Sequence, residues 1–425
     1  MQTNPIALAL RRTGLALALA APALAGATNG YFSAGYGAKA QGLAGVGIAL
    51  PQDALAAATN PAGTSEVGDR LDLGLAWFLP RRSSDIVGNA FGADAGYSGD
   101  GKKNFFLPEI AYTKQLSDRL GVGVALYGNG GLNTEYPVNP YSRFGGSGTT
   151  GVNLEQLFIT PSVAWRFGEG QSVGAALNIA YQRFSAQGIG LFGGFSSAPA
   201  NVSDQGTDSS TGAGLRLGWA GSVAPGLKLG VTWASKISGK FDKYRGLFAD
   251  GGGFDIPANY GAGLAWQAAP AWNIAADVQT IRYSQVHSVG NSASKLFAGV
   301  PLGAADGPGF GWRDVTTYKV GVTHQFNAAL ALRAGYSHNR QPVPDSETFF
   351  NILAPGVVQD HFTFGGTWLQ AGGGELSGFF AYAPNKTVNG AGSIPPGLPP
   401  GGFGGGNANI RLKETIIGVS YGWKL

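Results

Sequence analysis

Apolar residues recur at every second position in many stretches of this chain, with small or polar residues between them. In the stretch that begins at Arg70, the alternating apolar residues are Leu71, Leu73, Leu75 and Trp77. Successive side chains of a β-strand point to opposite faces, so such a stretch has one apolar face and one small or polar face. A tilted strand of about ten residues is long enough to cross a bilayer. The pattern therefore predicts strands with one face toward lipid and the other toward a lumen.

Fourteen stretches fit this pattern, and an even number is usual for bacterial barrels made from one chain. Tyr260, Leu264 and Trp266 form the apolar face of the eighth stretch, and Ile417 and Trp423 belong to that of the last. The predicted strands are 70–79, 105–116, 119–128, 154–167, 171–187, 211–223, 227–245, 258–268, 271–285, 314–326, 329–339, 359–370, 374–384 and 410–424.

The connections between the predicted strands alternate in length without a break. Long connections, such as 80–104 and 129–153, are each followed by a short one, such as 117–118 and 168–170. Membrane barrels show this pattern because their periplasmic turns are tight and their outer loops are long. A soluble β-sandwich, the alternative fold, has no reason to separate its loops in this way. We therefore predict an all-β fold, a transmembrane antiparallel β-barrel of about 14 strands.

The composition agrees with an exported barrel and excludes several other classes. Glycine accounts for 71 of 425 residues, and because glycine weakens helices, a large helical domain is disfavoured. After residue 25 no apolar stretch reaches 18 residues, which excludes spanning helices. The chain has no cysteine, so it has no disulfide and no thiolate metal site. Its net charge of +4 implies neither a nucleic acid nor an acidic partner.

Residues 1–25 have the features of a secretory signal peptide. Arg11 and Arg12 precede an apolar run, and Ala23-Leu24-Ala25 supplies the small residues of a cleavage site. A membrane anchor is the alternative, but the apolar run is much shorter than the roughly 20 residues that a spanning helix needs. We therefore expect export, with the mature chain beginning near Gly26.

Residues 26–69 lack the strand pattern and are predicted to form a separate unit ahead of the barrel at 70–425. They are rich in small residues and turn formers. Their low charge argues against a solvated, disordered arm, so we expect them to plug the lumen. Within them, Asn60 is expected to bond to main-chain groups in a turn that Pro61 stiffens. The residues predicted to form and gate this plug are Asn29, Tyr31, Phe32, Gly42, Asn60, Pro61 and Ala62.

The sequence resembles the FadL/TodX family, outer-membrane transporters of long-chain fatty acids and aromatic hydrocarbons. The matching stretches are the glycines before Lys39 and Gly42, Asp53-Ala54, Asn60-Pro61-Ala62, 121–136 and Leu332-Arg333-Ala334-Gly335-Tyr336. The resemblance implies a fourteen-stranded barrel that is plugged by an N-terminal hatch. The chain departs from the family at Leu425, where Phe is usual, and in the Gly- and Pro-rich loop 389–406, which leaves the substrate class open.

The resemblance also implies an inward kink in the third strand, beside the hatch, where a ligand leaves sideways into the bilayer. Here the third predicted strand runs into Gly128, Asn129, Gly130 and Gly131, which we predict to form this lateral opening. Such an exit needs a break in the strand ladder, which glycines and bulges permit. The alternative is that these glycines only begin an outer loop.

Two long connections carry apolar residues that are suited to capturing a hydrophobic ligand. These residues are Leu191, Phe192, Phe195, Phe349 and Phe350. Ordinary packing of one loop against another is the alternative for each of them. As a group they favour a hydrophobic ligand.

Motifs of chemical catalysis are absent from the sequence or lie in the wrong context. Residues 418–422 match G-x-S-x-G, but a nucleophile elbow needs a strand, a sharp turn and then a helix. His287, His324, His338 and His361 lie far apart, without the spacing of metal ligands. We predict no catalytic residue, no cofactor and no metal.

The expected function is passive, hatch-gated transport of fatty acids or hydrocarbons across the outer membrane of a Gram-negative cell. A general aqueous porin is the second possibility, and a lipid-modifying barrel enzyme is the third. The hatch favours transport of hydrophobic compounds, because a porin has no use for such a plug. The expected partners are the hydrophobic ligand, outer-membrane lipid and the barrel-assembly machinery, without nucleic acid, and the protein is expected to be a monomer.

Overall fold

The computed structural model describes residues 29–399 and 401–425, and the predicted signal peptide lies outside them. The strands are β1 (Arg70–Val87), β2 (Ala95–Ser98), β3 (Phe105–Gln115), β4 (Leu120–Tyr136), β5 (Thr150–Gly168), β6 (Gln171–Gln187), β7 (Asp208–Ala224), β8 (Leu227–Ala234), β9 (Asn259–Ala269), β10 (Trp272–Ile281), β11 (Val315–Gln325), β12 (Leu330–Asn339), β13 (Asp360–Leu369), β14 (Glu375–Val388) and β15 (Asn407–Lys424).

Short helical turns complete the described secondary structure. The α-helices are α1 (Ala38–Gln41), α2 (Ala56–Thr59), α3 (Ala249–Gly252), α4 (His287–Gly290) and α5 (Ser294–Phe297). The 3-10 helices are Pro61–Ser65, Ser142–Phe144, Gly190–Phe195, Pro199–Asn201, Asp242–Tyr244, Tyr283–Gln285, Asp345–Glu347 and Phe350–Ile352. No helix in the described part of the chain is long and apolar enough to span a membrane.

Fourteen strands, β1 and β3 to β15, form a closed antiparallel barrel, as the sequence predicted. Each strand pairs with its neighbour in the chain, and β15 pairs with β1 from Arg70↔Lys424 to Val87↔Asn407. The short strand β2 pairs with the outer end of β1 and extends the wall into the first long loop. This closure pairs the first strand with the last, so neither of the two terminal strands has a free edge toward lipid.

All fourteen predicted strands are present, and the largest differences from the predicted bounds are at the ends of three of them. The first continues to Val87, the third continues to Tyr136, and the strand predicted at 227–245 ends at Ala234. Beyond Ala234, Ile237 and Phe241 are buried in the cluster of the outer loops, so their apolar side chains did not mark a strand face. The alternation of short and long connections is confirmed.

The two faces of the wall differ as the alternation predicted. On β1, Leu73, Leu75 and Trp77 are exposed on the outer face, with Leu75 48% exposed. Asp72 and Ala76, at the positions between them, are buried on the inner face. An apolar outer face suits lipid, and the polar inner face is available to bind what lies inside the barrel.

Candidate functional site

Residues 29–69, called here the N-terminal segment, lie inside the barrel and are bound to the wall on several sides. The main-chain amide of Gly37 donates to Glu109 Oε2 on β3 over 3.1 Å. On β10, Asp277 Oδ2 accepts from the amide of Gly47 over 2.8 Å. Buried main-chain groups need such partners, since each unpaired one costs about 1–3 kcal/mol. The polar inner face therefore holds the segment in place.

A buried cluster of charges links the segment to the first and fourteenth strands of the sheet. Lys39 forms an ion pair with Glu375, which also accepts from Arg70 over 2.9 Å. Arg70 in turn pairs with Asp72 over 2.7 Å. Burial lowers the pKa of Lys39. Burial, reinforced by nearby Asp72, raises the pKa of Asp53 to about 6.

Asn60 joins two parts of the segment to the wall. Its Nδ2 donates to the carbonyls of Ile48, over 2.8 Å, and of Trp219 on β7, over 3.0 Å. Its Oδ1 accepts from the amide of Ala62 over 3.1 Å, and Pro61 begins the 3-10 helix that follows. The side chain thus fixes both the turn and its position against β7.

The other predicted residues of the plug lie in two further places. The carbonyl of Asn29 accepts a hydrogen bond from Tyr283 Oη over 2.5 Å, and Phe32 pairs with Gly130 in an isolated β-bridge. A Cβ at Gly42 would lie 3.1 Å from the Cα of Gly365, so the segment approaches β13 closely there. The structure therefore brings Asn29, Tyr31 and Phe32 together and places Gly42 elsewhere.

The strand ladder is broken where the sequence predicted a lateral opening. Strand β4 pairs with β3 only from Ile110↔Leu126 to Gln115↔Gly121, so the outer half of β3 has no β4 partner. On its other side, β4 shifts register against β5 between Gly128 and Gly130. Because β4 continues to Tyr136, the alternative that these glycines begin an outer loop is wrong.

The N-terminal segment supplies hydrogen bonds to the broken part of β4. The amide of Ser33 donates to the carbonyl of Asn129, and the amide of Gly131 donates to that of Tyr31, each over 2.9 Å. Tyr36 Oη also donates to Asn129 Oδ1 over 2.9 Å. The segment therefore takes the place that β3 leaves empty, on the inner side of the wall.

A cavity of about 340 Å³, called here the gap cavity, adjoins this break. Phe78 and Phe105 line it from the strands on one side of the break, and Gly131 and Leu132 line it from β4. Its remaining lining residues are Gly30, Pro80, Arg82, Asn133, Pro355, Gly356, Leu412 and Glu414. The predicted opening thus adjoins a space inside the wall.

A second cavity of about 510 Å³, the loop cavity, lies among the outer loops. Phe192 and Phe350 line it, and their ring centroids are 5.2 Å apart. Leu191, Phe195 and Phe349 pack in the same apolar cluster. The structure therefore brings together all five loop residues selected from the sequence, although Phe192 and Phe349 are buried rather than exposed.

Sequence reasoning missed several aromatic residues of this cluster. Phe403 lies 5.4 Å from Phe349 and 5.6 Å from Phe195, measured between ring centroids. It is the one aromatic residue in the Gly- and Pro-rich loop 389–406, and this could have marked it in the sequence. Phe184 and Phe248 also line the loop cavity, but they come from β6 and a distant loop, which only the fold brings together.

A third, small cavity, the middle cavity, shares lining residues with each of the other two. Tyr31 and Trp312 are among its lining residues. It shares Leu132 with the gap cavity. With the loop cavity it shares Val152, Phe184, Phe248 and Phe310. The three cavities therefore adjoin in series from the outer loops to the break in the wall.

The described residues contain no group of three or more His, Asp or Glu side chains that could hold a metal ion. The G-x-S-x-G match at 418–422 lies within the straight run of β15, without the turn and helix of a nucleophile elbow.

A closed antiparallel barrel with an apolar outer face and a polar inner face is the architecture of an outer-membrane protein. The family model for outer membrane protein transport proteins (OMPP1/FadL/TodX) matches residues 15–388. The chain belongs to this family, and its function is the transport of hydrophobic compounds across the outer membrane of a Gram-negative cell. The resemblance in the sequence is thereby confirmed. No curated protein sequence matches the chain.

Solved structures of similar proteins show the same fold. A FadL homologue of Pseudomonas aeruginosa has a TM-score of 0.69 at 16% identity, covering 93% of this chain and 99% of that chain. The toluene transporter TodX of Pseudomonas putida has a TM-score of 0.67 at 20% identity, covering 94% and 100%. The toluene transporter TbuX of Ralstonia pickettii has a TM-score of 0.61 at 16% identity, covering 91% and 98%. At these identities the likeness establishes the fold alone.

Replacing Gly130 should detach the N-terminal segment from β4. A Cβ at this position would lie 1.8 Å from the carbonyl oxygen of Tyr31. Gly130→Ala should therefore lower the free energy of unfolding by roughly 2–4 kcal/mol and expose the segment to protease. Gly128→Ala is the matched control, because its Cβ would meet nothing closer than 3.9 Å. Equal stability and equal cleavage of the two variants would contradict the contact.

Asp53 should make stability depend on pH in a defined direction. Its pKa of about 6 in the folded protein lies above its ordinary value of 3.8, so the folded state binds this proton more tightly. The contribution of protonated Asp53 to the free energy of unfolding is fully present below the ordinary pKa, and it is lost as pH rises through about 6. Compared with Asp53→Asn, the wild type should gain up to about 3 kcal/mol between pH 7 and pH 4. The free energy of unfolding of both proteins is measured by denaturation across this pH range. A difference between the two proteins that does not change with pH would refute the prediction.

Proposed function

We propose that this protein carries long-chain fatty acids or aromatic or aliphatic hydrocarbons by passive diffusion through the three cavities. In this proposal the N-terminal segment is a hatch that gates the passage, and the ligand leaves through the break beside Gly131. The observation that carries the proposal is a set of three cavities that share lining residues between the outer loops and that break, two of them without a charged lining residue.

Capture at the loops supplies the first step. Leu191, Phe195 and Phe350 are half-buried and offer an apolar surface next to water, and Phe192 and Phe349 are buried behind them in the same cluster. Moving apolar surface from water into such a site gains about 25 cal/mol for each Å². Capture therefore needs no energy source beyond desolvation of the ligand.

The hatch closes the lumen to water in this proposal. Its hydrogen bonds to Glu109, Asp277 and Glu375 reach three separate strands of the wall. Asn60, Pro61 and Ala62 add an anchor against β7. A lumen filled in this way disfavours the aqueous porin, which needs a continuous polar channel. The family function, transport, disfavours the barrel enzyme.

Lateral exit follows from the energetics of release. A hydrophobic ligand released into the periplasm would again expose its apolar surface, at about 25 cal/mol for each Å². Exit through the wall at Gly128, Asn129, Gly130 and Gly131 moves the ligand directly into lipid. The missing β3–β4 pairing beside these residues supports this route. Assembly by the barrel-assembly machinery and a monomeric state complete the proposal.

Uptake should depend on the protein for hydrophobic compounds and not for polar ones. Cells with and without the protein are compared for growth on, and uptake of, fatty acids, alkanes and aromatic hydrocarbons. The protein should accelerate uptake of at least one of these classes and leave the entry of a small sugar unchanged. Faster entry of the sugar without a hydrophobic substrate would support the porin instead.

Closing the break with a disulfide should stop lateral exit. A Cβ at Gly128 would lie 3.9 Å from Leu107 Cδ2 across the unpaired part of β3 and β4. The protein has no native cysteine, so a disulfide between Leu107→Cys and Gly128→Cys, once formed under oxidation, would be the single bridge. Uptake should fall several-fold on oxidation and recover on reduction, because the bridge narrows the exit.

The control bridge joins Tyr112→Cys and Val124→Cys, which are cross-strand partners in the paired half of the same two strands. Their side chains lie on the exposed outer face. Oxidation of this control should leave uptake unchanged. Unchanged uptake with a fully formed 107–128 bridge would rule out exit at this position.

A further inference from the structure

Two cations lie side by side on the outer face of the wall, where the first strand meets the last. Arg81 on β1 and Lys413 on β15 are direct partners in the ladder that closes the barrel. Both side chains are exposed and point outward, whereas the next residues, Arg82 and Glu414, are buried on the inner face. Partners of this kind have Cβ atoms only about 5 Å apart, and like charges at such positions destabilise a sheet. An anion between the two cations would remove this repulsion.

The nearest acidic side chain is already bound by another group. Asp100 Oδ2 lies 3.5 Å from Arg81 Nη1, but Asp100 Oδ1 accepts from the amide of Arg82 over 2.7 Å. The side chain of Arg81 is still 45% exposed. Lys413 forms no ion pair with any residue that the structure describes. Asp100 therefore leaves most of the charge of this pair unmatched.

The other neighbours of the pair supply no free acid. Asp85, farther along the outer face of β1, forms an ion pair with Arg411 and accepts from Asn409 Nδ2 over 2.6 Å. On the other side of β15, Pro384 and Asn385 lie beside the pair, where β14 shifts register. The anion that fits these two cations is therefore supplied from outside the described chain.

The pair lies at the level of the lipid headgroups in the outer leaflet. The apolar outer face of β1 runs from Leu71 to Leu79, and Arg81 is the next outward residue. Along a tilted strand these residues span roughly 20 Å of membrane thickness, and the apolar band of such barrels is about 25 Å tall. Trp77 and Phe106 stack just below the pair, with ring centroids 6.5 Å apart, as in an aromatic girdle. Beyond Val87 the chain enters a long loop, so this edge of the band faces the outside.

We propose that Arg81 and Lys413 bind the phosphate of a phosphorylated glycolipid of the outer leaflet, such as lipid A. A phosphate monoester carries a charge of about −1.5 to −2 near pH 7, which matches two cations. A phosphodiester headgroup has a single charge and leaves one cation unmatched. The guanidinium of arginine binds two phosphate oxygens at once, and lysine adds a point charge. The acyl chains of the lipid lie along the apolar face below. This inference does not depend on the proposed transport function.

The test compares the binding of three lipids to the folded barrel in nonionic detergent by native mass spectrometry. The lipids are diphosphoryl lipid A, lipid A without its phosphates, and phosphatidylglycerol, which is a phosphodiester. Arg81→Gln combined with Lys413→Gln should weaken binding of diphosphoryl lipid A about ten-fold, because two charge-assisted contacts are lost. Binding of dephosphorylated lipid A should stay within two-fold. The wild type should bind phosphatidylglycerol more weakly than diphosphoryl lipid A, and an excess of inorganic phosphate should not displace the lipid.

Arg183→Gln is the matched control. The side chain of Arg183 is 44% exposed on the outer face of β6 and lies 3.5 Å from an acid, as that of Arg81 does. Its partner in the ladder is Glu155, not a second cation. The control substitution should leave all three affinities within two-fold.

A charge reversal gives a second, independent variant. Lys413→Glu places an acid opposite Arg81, so it should abolish the preference for diphosphoryl lipid A without lowering the thermal stability of the barrel. Slower gel migration after boiling than before confirms that each variant is folded. Four results would overturn the inference: unchanged binding in the double variant, an equal loss in the control, phosphatidylglycerol binding as tight as that of diphosphoryl lipid A, or displacement of the lipid by inorganic phosphate.

Discussion

The structure depends on one constraint, which is that main-chain groups removed from water must find hydrogen-bond partners. The barrel satisfies this constraint at its ends by pairing β15 with β1. At the break beside β4, Tyr31 and Ser33 bond to Gly131 and Asn129 in place of the absent β3 pairing. The break in the strand ladder and the N-terminal segment are therefore two parts of a single arrangement.

The interior divides into a polar region and an apolar region with different roles. Toward the short turns, buried charges such as Lys39, Asp72 and Glu375 bind the N-terminal segment to the strands. Toward the outer loops, aromatic rings enclose cavities without charges. The first region holds the segment in place, and the second forms the apolar cluster beneath the outer loops. Tyr31 belongs to both regions, because its main chain bonds to the wall while its side chain lines the middle cavity.

The sequence predicted most of the fold because membrane strands must alternate between lipid and lumen. The strand at 171–187 has the predicted bounds. Strand β4 was predicted too short because Asn129 and its flanking glycines carry no alternation, and their ladder depends on β5 and the N-terminal segment. The resemblance to the family predicted where the strand ladder breaks. It did not predict that residues of the N-terminal segment bond to β4 there. The cavities could not be predicted, because Phe184, Phe403 and Trp312 meet only when distant loops fold together.

The central claim is that the N-terminal segment seals a passage for hydrophobic molecules. Deletion of residues 31–42 tests it most directly, because it removes the bonds to Asn129 and Gly131 together with the ion pair of Lys39. Ion conductance in planar bilayers and cellular uptake of a hydrophobic substrate are measured for a variant whose barrel still migrates as folded. The account predicts higher conductance and lower hydrophobic uptake. Wild-type values for both would contradict it.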